Sequence, residues 1–236
     1  RKALHVMSKV FISIGAGPGI SAATARKFGA NGYKVALVSL KQEEADKEKE
    51  ALAKLGVEAI ALQADAADAA AVKKAIEAAK SALGAITVVH YNAFALSGGT
   101  EPAAFLNCCA VGCVGLIAAK TECLADLKEQ KGAILVTSSF VASTALPKEV
   151  DEFLSGLGME GYCAGKAAQD RLTSQMTLQL AKEGVFVGKV VVGGKVKGTM
   201  FDDGSGDAKI EPDSVADAFF KLNEERTETV ASVNDP

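Results

Sequence analysis

Val10-Phe11-Ile12-Ser13-Ile14-Gly15-Ala16-Gly17-Pro18-Gly19-Ile20-Ser21 is the stretch from which the rest of the chain is read. A short apolar, β-branched run passes straight into a glycine-rich turn, and an Ala-rich segment of helical period follows. A strand of this composition is buried on both faces. A turn this tight lets backbone approach a ligand with no Cβ in the way. The helix that opens after it offers free N–H groups and the positive end of its dipole to a pyrophosphate. The strict G-x-G-x-x-G spacing is not met, because Ile20 stands where the third glycine would be. The spacing that fits is G-x-x-x-G, from Gly15 to Gly19, which makes Gly15, Gly17, Gly19 and Ile20 candidate phosphate-binding residues.

Outward from this turn, the same alternation repeats. Strand-like runs fall at Val10–Ile14, Val35–Ser39, Ala59–Leu62, Ile86–His90, Ala133–Ser138 and Val185–Val192. Helical segments lie between them at Ile20–Asn31, Gln42–Leu55, Ala67–Leu83, Pro102–Lys128 and Gly161–Lys182. Gly32, Gly56, Gly84 and Gly184 punctuate the helix ends. Near-continuous apolar strands alternating with helices predict an α/β, doubly wound sheet of about seven mostly parallel strands with helices on both faces. No linker-like shift divides the chain, so one domain is expected over 1–236. Gly198–Asp207 is polar and Gly-rich, and reads as a loop or the edge of a substrate lid.

Composition excludes other classes. The chain has 236 residues, 49% hydrophobic and 23% charged, with a formal net charge of −3. Mixed charges near neutrality leave no electrostatic footprint for nucleic acid. No run approaches ~18 uninterrupted apolar residues, so no membrane span is expected. Five cysteines (Cys108, Cys109, Cys113, Cys123 and Cys163) form no CxxC, and His5 and His90 lie far from the cluster. Neither a zinc site nor a disulfide framework fits. Reduced core cysteines predict a reducing intracellular compartment, cytoplasm or organelle stroma or matrix. Arg1 at the start leaves an upstream targeting segment open. His90 reads as a satisfied core residue.

Two further stretches carry chemistry. The second strand ends Val38-Ser39-Leu40-Lys41, where an acid would meet a ribose 2′-OH and a cation a 2′-phosphate. Ser39 and Lys41 therefore favour NADP, with NAD left open and Lys41 equally readable as a solvated start to a charged helix. Tyr162-Cys163-Ala164-Gly165-Lys166 opens a long helix, and residues four apart share a face. A cation close to a phenol favours the phenolate, which predicts a lowered Tyr162 pKa and a usable proton donor or acceptor. The preceding strand ends Val136-Thr137-Ser138-Ser139, at the edge where open α/β sheets place ligands.

Gly15–Ser21, Asn92-Ala93, Ser138-Ser139 and Tyr162–Lys166 occur in the order and rough spacing of the short-chain dehydrogenase/reductase family, and the chain resembles that family from Val10 to about Asp235. The resemblance implies a Rossmann-type fold and a hydride exchanged between NADP (or NAD) and a small carbonyl or alcohol substrate. It implies Tyr162 as general acid/base, Lys166 as the residue that lowers its pKa and holds the nicotinamide ribose, and Ser139, rather than Ser138, on the substrate oxygen. Asp65 and Ala66 resemble the adenine contact, Asn92 and Ala93 part of the Asn-Asn-Ala-Gly signature, and Gly194 and Thr199 the loop that closes over nicotinamide. The segment from Leu146 to Met159 is expected over the substrate cleft. In the family, the helices matching Pro102–Lys128 and Gly161–Lys182 pack against a second subunit, so a homo-oligomer, dimer or tetramer, is expected.

Several positions depart from the pattern. Ser21 replaces the third glycine, Tyr91 the first Asn of the signature and Phe94 its Gly, and Gly193-Gly194 the usual Pro-Gly. The family Asn that bends its helix and holds a relay water should fall near position 112, where this chain has Gly112, and Asn107 lies five residues too early. A second reading follows from these departures: a weakened or inactive member acting as a nucleotide-binding or structural subunit of a larger assembly.

Overall fold

The computed structural model describes residues 9–96 and 101–235, so His5 lies outside the described residues. The chain alternates β1 (Lys9–Ile14), α1 (Ile20–Ala30), β2 (Tyr33–Ser39), α2 (Gln42–Lys54), β3 (Ala59–Gln63), α3 (Ala69–Leu83) and β4 (Val88–Tyr91). A long helical run follows as α4 (Pro102–Cys109), a π-turn (Ala110–Val114) and α5 (Gly115–Gln130). After β5 (Ala133–Ser139) come α6 (Lys148–Gly156), α7 (Glu160–Ala181), β6 (Phe186–Gly193), α8 (Pro212–Glu225) and β7 (Val230–Asn234). The strands form one sheet in the order β3-β2-β1-β4-β5-β6-β7, and every pairing is parallel. Chain order reverses between β1 and β4, and at such a switch point the loops at the carboxyl ends of the strands diverge and leave a crevice.

Alternating side chains assign the two faces. Val10, Ile12 and Ile14 of β1 pack in one core with Val72 and Ile76 of α3, Leu116 of α5 and Met176 of α7. Phe11 of the same strand points into the other, with Phe28 of α1, Leu52 of α2 and Phe219 of α8. The fourth strand begins and ends later than the Ile86–His90 run predicts. Its register pairs Phe11 with Val88 and Ile14 with Tyr91. Ile86 instead donates its N–H to the Asp126 carboxylate at 3.0 Å.

The helical run Pro102–Gln130 is more apolar than a count of uninterrupted residues suggests. Its most apolar window has a mean hydropathy of 1.9, long and apolar enough to cross a membrane by length and composition. Asn107 interrupts the run, so a count of uninterrupted apolar residues misses it. Here Leu116, Ala119, Cys123 and Leu127 bury one face of the helix in the sheet core.

Beneath the carboxyl edge a polar line crosses this apolar interior. Ser21 and Ser13 hydroxyls lie 2.8 Å apart, Ser13 Oγ is 3.0 Å from His90 Nδ1, and His90 Nε2 is 3.2 Å from Thr137 Oγ1. Thr137 Oγ1 donates to Asn92 Oδ1 at 2.8 Å, and Asn92 Nδ2 donates to the Gly15 carbonyl at 3.0 Å. The partners fix the protons. Thr137 has given its only proton to Asn92, so it accepts from His90 Nε2–H. The neutral ring then accepts at Nδ1 from Ser13, which in turn accepts from Ser21. Full burial of His90 pushes its pKa down to about 3.

The sign of the pH dependence follows. The unfolded chain binds a proton at this histidine between pH 6.5 and about 3 and the folded chain does not. Stability therefore falls as pH drops through this window, at up to ~1.4 kcal/mol per pH unit. Urea unfolding at pH 6 and pH 5 is expected to show a loss of about 1 kcal/mol that is largely absent in His90→Asn. An equal loss in the variant would show that the histidine takes up its proton while folded.

Candidate active site

The crevice at the switch point is a cleft of about 630 Å³. The glycine turn forms one wall. Gly15 and Ala16 donate their N–H groups to the Val38 carbonyl at 2.9 and 2.8 Å, holding the turn against β2. Gly15 has φ +88°, and a Cβ there would lie 2.4 Å from the Ala93 nitrogen. Gly19 caps α1 with φ +79° and no side-chain cap, and a Cβ there would meet the Thr199 methyl at 2.5 Å. A Cβ at Gly17, by contrast, would meet nothing closer than Glu44 Oε2 at 3.7 Å. The turn thus presents open backbone to the cleft beside an uncapped helix start, the geometry that receives phosphate oxygens.

The structure brings the predicted residues together with one exception. Gly15, Gly17, Ile20, Ser39, Lys41, Asp65, Ala66, Asn92, Ala93, Ser139, Tyr162, Lys166, Gly194 and Thr199 all line the cleft. Gly19 does not, because Thr199 packs over it. Several of these side chains already have partners. Asn92 clamps Gly15 to Thr137, and Asp65 accepts from Ala67 N at 2.8 Å. The Thr199 hydroxyl donates to the Val196 carbonyl at 2.7 Å. Lys41 reaches Glu44 at 3.2 Å, with its side chain 71% exposed.

The two serines ending β5 differ. Ser138 donates to Asp170 Oδ1 at 2.8 Å, and Asp170 also pairs with Lys189 at 2.6 Å. Ser139 opens toward the cleft beside Tyr162. Tyr162 is 7% exposed. Its ring meets Phe94 edge-on at 5.7 Å, and Phe94 stacks on Phe201 at 5.8 Å between centroids. Val150 and Leu154 of α6, the segment expected over the cleft, pack in this same cluster.

Burial reverses one expectation. It pushes the Tyr162 phenol above its ordinary pKa, against a smaller lowering by the Ser139 hydroxyl. Lys166 does not lower it, because its ammonium turns to the Thr137 carbonyl at 2.9 Å and to Gln169 Oε1 at 3.0 Å. Burial also brings Lys166 down to about 8, partly offset by Asp170.

Some residues of the site were not singled out from sequence. Glu44 lines the cleft next to Lys41, and Asn107, five residues before the position expected for an amide, lines it too. Gln169 sits one turn after Lys166 on the buried stripe of α7 that includes Tyr162, Gly165, Lys166, Gln169 and Thr173. A glutamine at helical spacing from the lysine was the signal available for it. The departure at Gly193 fits β7, since a Cβ there would meet Asn234 Oδ1 at 2.1 Å, and a Cβ at Gly194 would meet Asp235 Oδ1 at 2.3 Å.

Comparison with known proteins agrees with this fold. The family model for short chain dehydrogenases matches residues 9–207. The 2-(S)-hydroxypropyl-CoM dehydrogenase 3 of Xanthobacter autotrophicus is 30% identical over 194 residues, 80% of this chain and 72% of that one. Meso-2,3-butanediol dehydrogenase of Serratia marcescens is 31% identical over 191 residues, 78% of this chain and 70% of that one. A solved short chain dehydrogenase from Burkholderia cenocepacia, in complex with NADP, is 25% identical with a TM-score of 0.83, covering 97% of this chain and 96% of that one. A match over residues 9–207, most of the chain, means that this chain belongs to the short chain dehydrogenase family and is an oxidoreductase.

Proposed function

We propose that the chain transfers a hydride between NADP(H) and a small carbonyl or alcohol, with Tyr162 as the general acid/base. The observation that carries this reading is the convergence of Ser139, Tyr162 and Lys166 in one cleft with the open glycine turn. A dinucleotide fits the residues present: backbone at Gly17 for the pyrophosphate, Asp65 and Ala66 toward the adenine end, Lys166 and Gly194 toward the nicotinamide end. When bound, the nicotinamide supplies or accepts the hydride.

The remaining work belongs to the side chains. With its pKa raised by burial, Tyr162 holds its proton at neutral pH and donates it to a substrate oxygen that gains negative charge. Ser139 donates a hydrogen bond to the same oxygen, stabilising the charge where it develops. Lys166 has three protons and two protein acceptors, which leaves one for the cleft. In the oxidation direction the Ser139 hydroxyl, which lowers the phenol's pKa, is the group that opposes the cost of a buried phenolate. Phe94 and Phe201 give the reacting end apolar walls, which suits small alkyl ketones and their alcohols, in line with a relative named for a butanediol.

A panel of small ketones and vicinal diols, followed by nicotinamide absorbance, tests this. Tyr162→Phe is expected to lower kcat by at least ~10²-fold while leaving nucleotide binding in place. Unchanged turnover in that variant would remove Tyr162 from the chemistry.

One observation favours NAD(H) instead: the Glu44 carboxylate sits at the ribose end of the cleft, where an acid accepts from a 2′-OH and repels a 2′-phosphate. Lys41 is within 3.2 Å of it and can neutralise it. On the NADP reading, Lys41→Ala weakens NADPH binding about tenfold, or ~1.4 kcal/mol, and leaves NADH unchanged. Tighter NADH binding by the wild type, insensitive to Lys41, would establish the other reading.

A further inference from the structure

Beside Lys166, the facing helices meet around an unusual polar contact. Gln169 is 1% exposed, and both ends of its amide are engaged. Oε1 accepts from Lys166 Nζ at 3.0 Å, and Nε2 donates to the Gly112 carbonyl at 3.0 Å. Because an ammonium only donates and a carbonyl only accepts, this orientation of the amide is fixed by its partners.

The Gly112 carbonyl is available because of the π-turn Ala110–Val114, which loosens the helical ladder. Two successive carbonyls there accept from side chains on other elements: Val111 from the Tyr91 hydroxyl, and Gly112 from Gln169. Gly112 also makes the room. A Cβ at that position would sit 3.4 Å from the Gly165 carbonyl and 3.9 Å from Gln169 Cβ and Nε2, so a longer side chain would enter the space of the amide. The adjoining cavity, shared by Lys166, Gln169, Gly112 and Cys108, is about 10 Å³, at the lower limit for one ordered water.

From this geometry we propose that Gln169 is a positioning residue for the reaction, its amide bridging the Lys166 ammonium to the π-turn and thereby setting the direction and charge of that lysine. The inference rests on the reading of Lys166 as part of the catalytic machinery, but its test does not require turnover. A carbonyl oxygen facing the ammonium favours the charged form against the burial that brings Lys166 down to about 8. The amide has no titratable proton of its own, so it holds the lysine without exchanging protons with it. The other titratable groups around Lys166 stay constant when Gln169 is changed. They are Tyr162, Cys163 and Asp170 on its own helix, Cys108 on α4, His90 behind Thr137, and Lys189 on β6, paired with Asp170.

The experiment is a pH titration of the full chain labelled with 13Cε-lysine and followed by NMR, with Lys166→Arg identifying the Lys166 signal. Gln169→Leu removes the acceptor and is expected to lower the Lys166 midpoint by about one unit, a tenfold loss of proton affinity. Gln169→Glu places a carboxylate there and is expected to raise it by a similar amount. Shifts of opposite sign are what a packing role alone would not produce. Gln169→Met, close in shape and lacking the amide, covers the case in which Gln169→Leu fails to fold, and is expected to move the midpoint down as well. An unchanged midpoint in the folded variants would overturn the proposal. If Tyr162→Phe retained turnover while these midpoints moved, the catalytic reading would fail and the bridging role would stand.

Discussion

A line of hydrogen bonds with a single direction runs under the cleft, from Ser21 through Ser13, His90, Thr137 and Asn92 to the Gly15 carbonyl. It joins the start of α1, three neighbouring strands and the loop after β4. These are the parts that must keep register for a dinucleotide to lie across the switch point. Ser21, Ser13, His90 and Thr137 are buried, so each donor among them left without an acceptor would cost ~1–3 kcal/mol. The line therefore holds as a unit, and it holds only while His90 is neutral. The same Thr137 that passes the line to Asn92 offers its backbone carbonyl to Lys166. Anchoring of the glycine turn and aiming of the lysine thus meet at one residue of β5.

The helical side of the site is organised around the π-turn. Tyr91 and Gln169 take the two carbonyls it presents, one from below through β4 and one from α7 across the interface. Lys166 is held between the two systems, bonded to the sheet at Thr137 and to the π-turn through Gln169. The cleft face is left to Tyr162, Ser139 and the third lysine proton. Strands and helices hold these polar groups in place, while Phe94, Phe201 and α6 supply the apolar wall beside Tyr162.

The fold was legible because its signal is repetitive and local. Continuous apolar strands, Ala-rich helices and the Gly15–Gly19 turn can each be read within about a dozen residues, and the parallel sheet follows from them. The boundaries of β4 were not legible, since Ile86 looks like strand until the Asp126 carboxylate, 40 residues away, is seen to hold its N–H. Nor was the burial of Tyr162 visible: spacing places a lysine near the phenol, but only the packed structure shows Lys166 turned to Thr137 and Gln169. Tyr91 and Gly112 read from sequence as losses from the family pattern. In the structure each has a partner: the Tyr91 hydroxyl donates to the Val111 carbonyl, and the Gly112 carbonyl accepts from Gln169 on the facing helix, 57 residues later. Pairings across that distance leave no trace in one sequence.

Whether the polar line organises nucleotide binding is best measured by titrating the wild type and Thr137→Val with NADPH, following nicotinamide fluorescence. Valine keeps the shape of threonine and the carbonyl that faces Lys166, and removes only the hydroxyl between His90 and Asn92. The account predicts saturable binding by the wild type and binding about tenfold weaker, or ~1.4 kcal/mol, by the folded variant. Equal affinities would contradict the role given to the line, and absence of binding of either NADPH or NADH by the wild type would contradict the assignment of the cleft to a nicotinamide nucleotide.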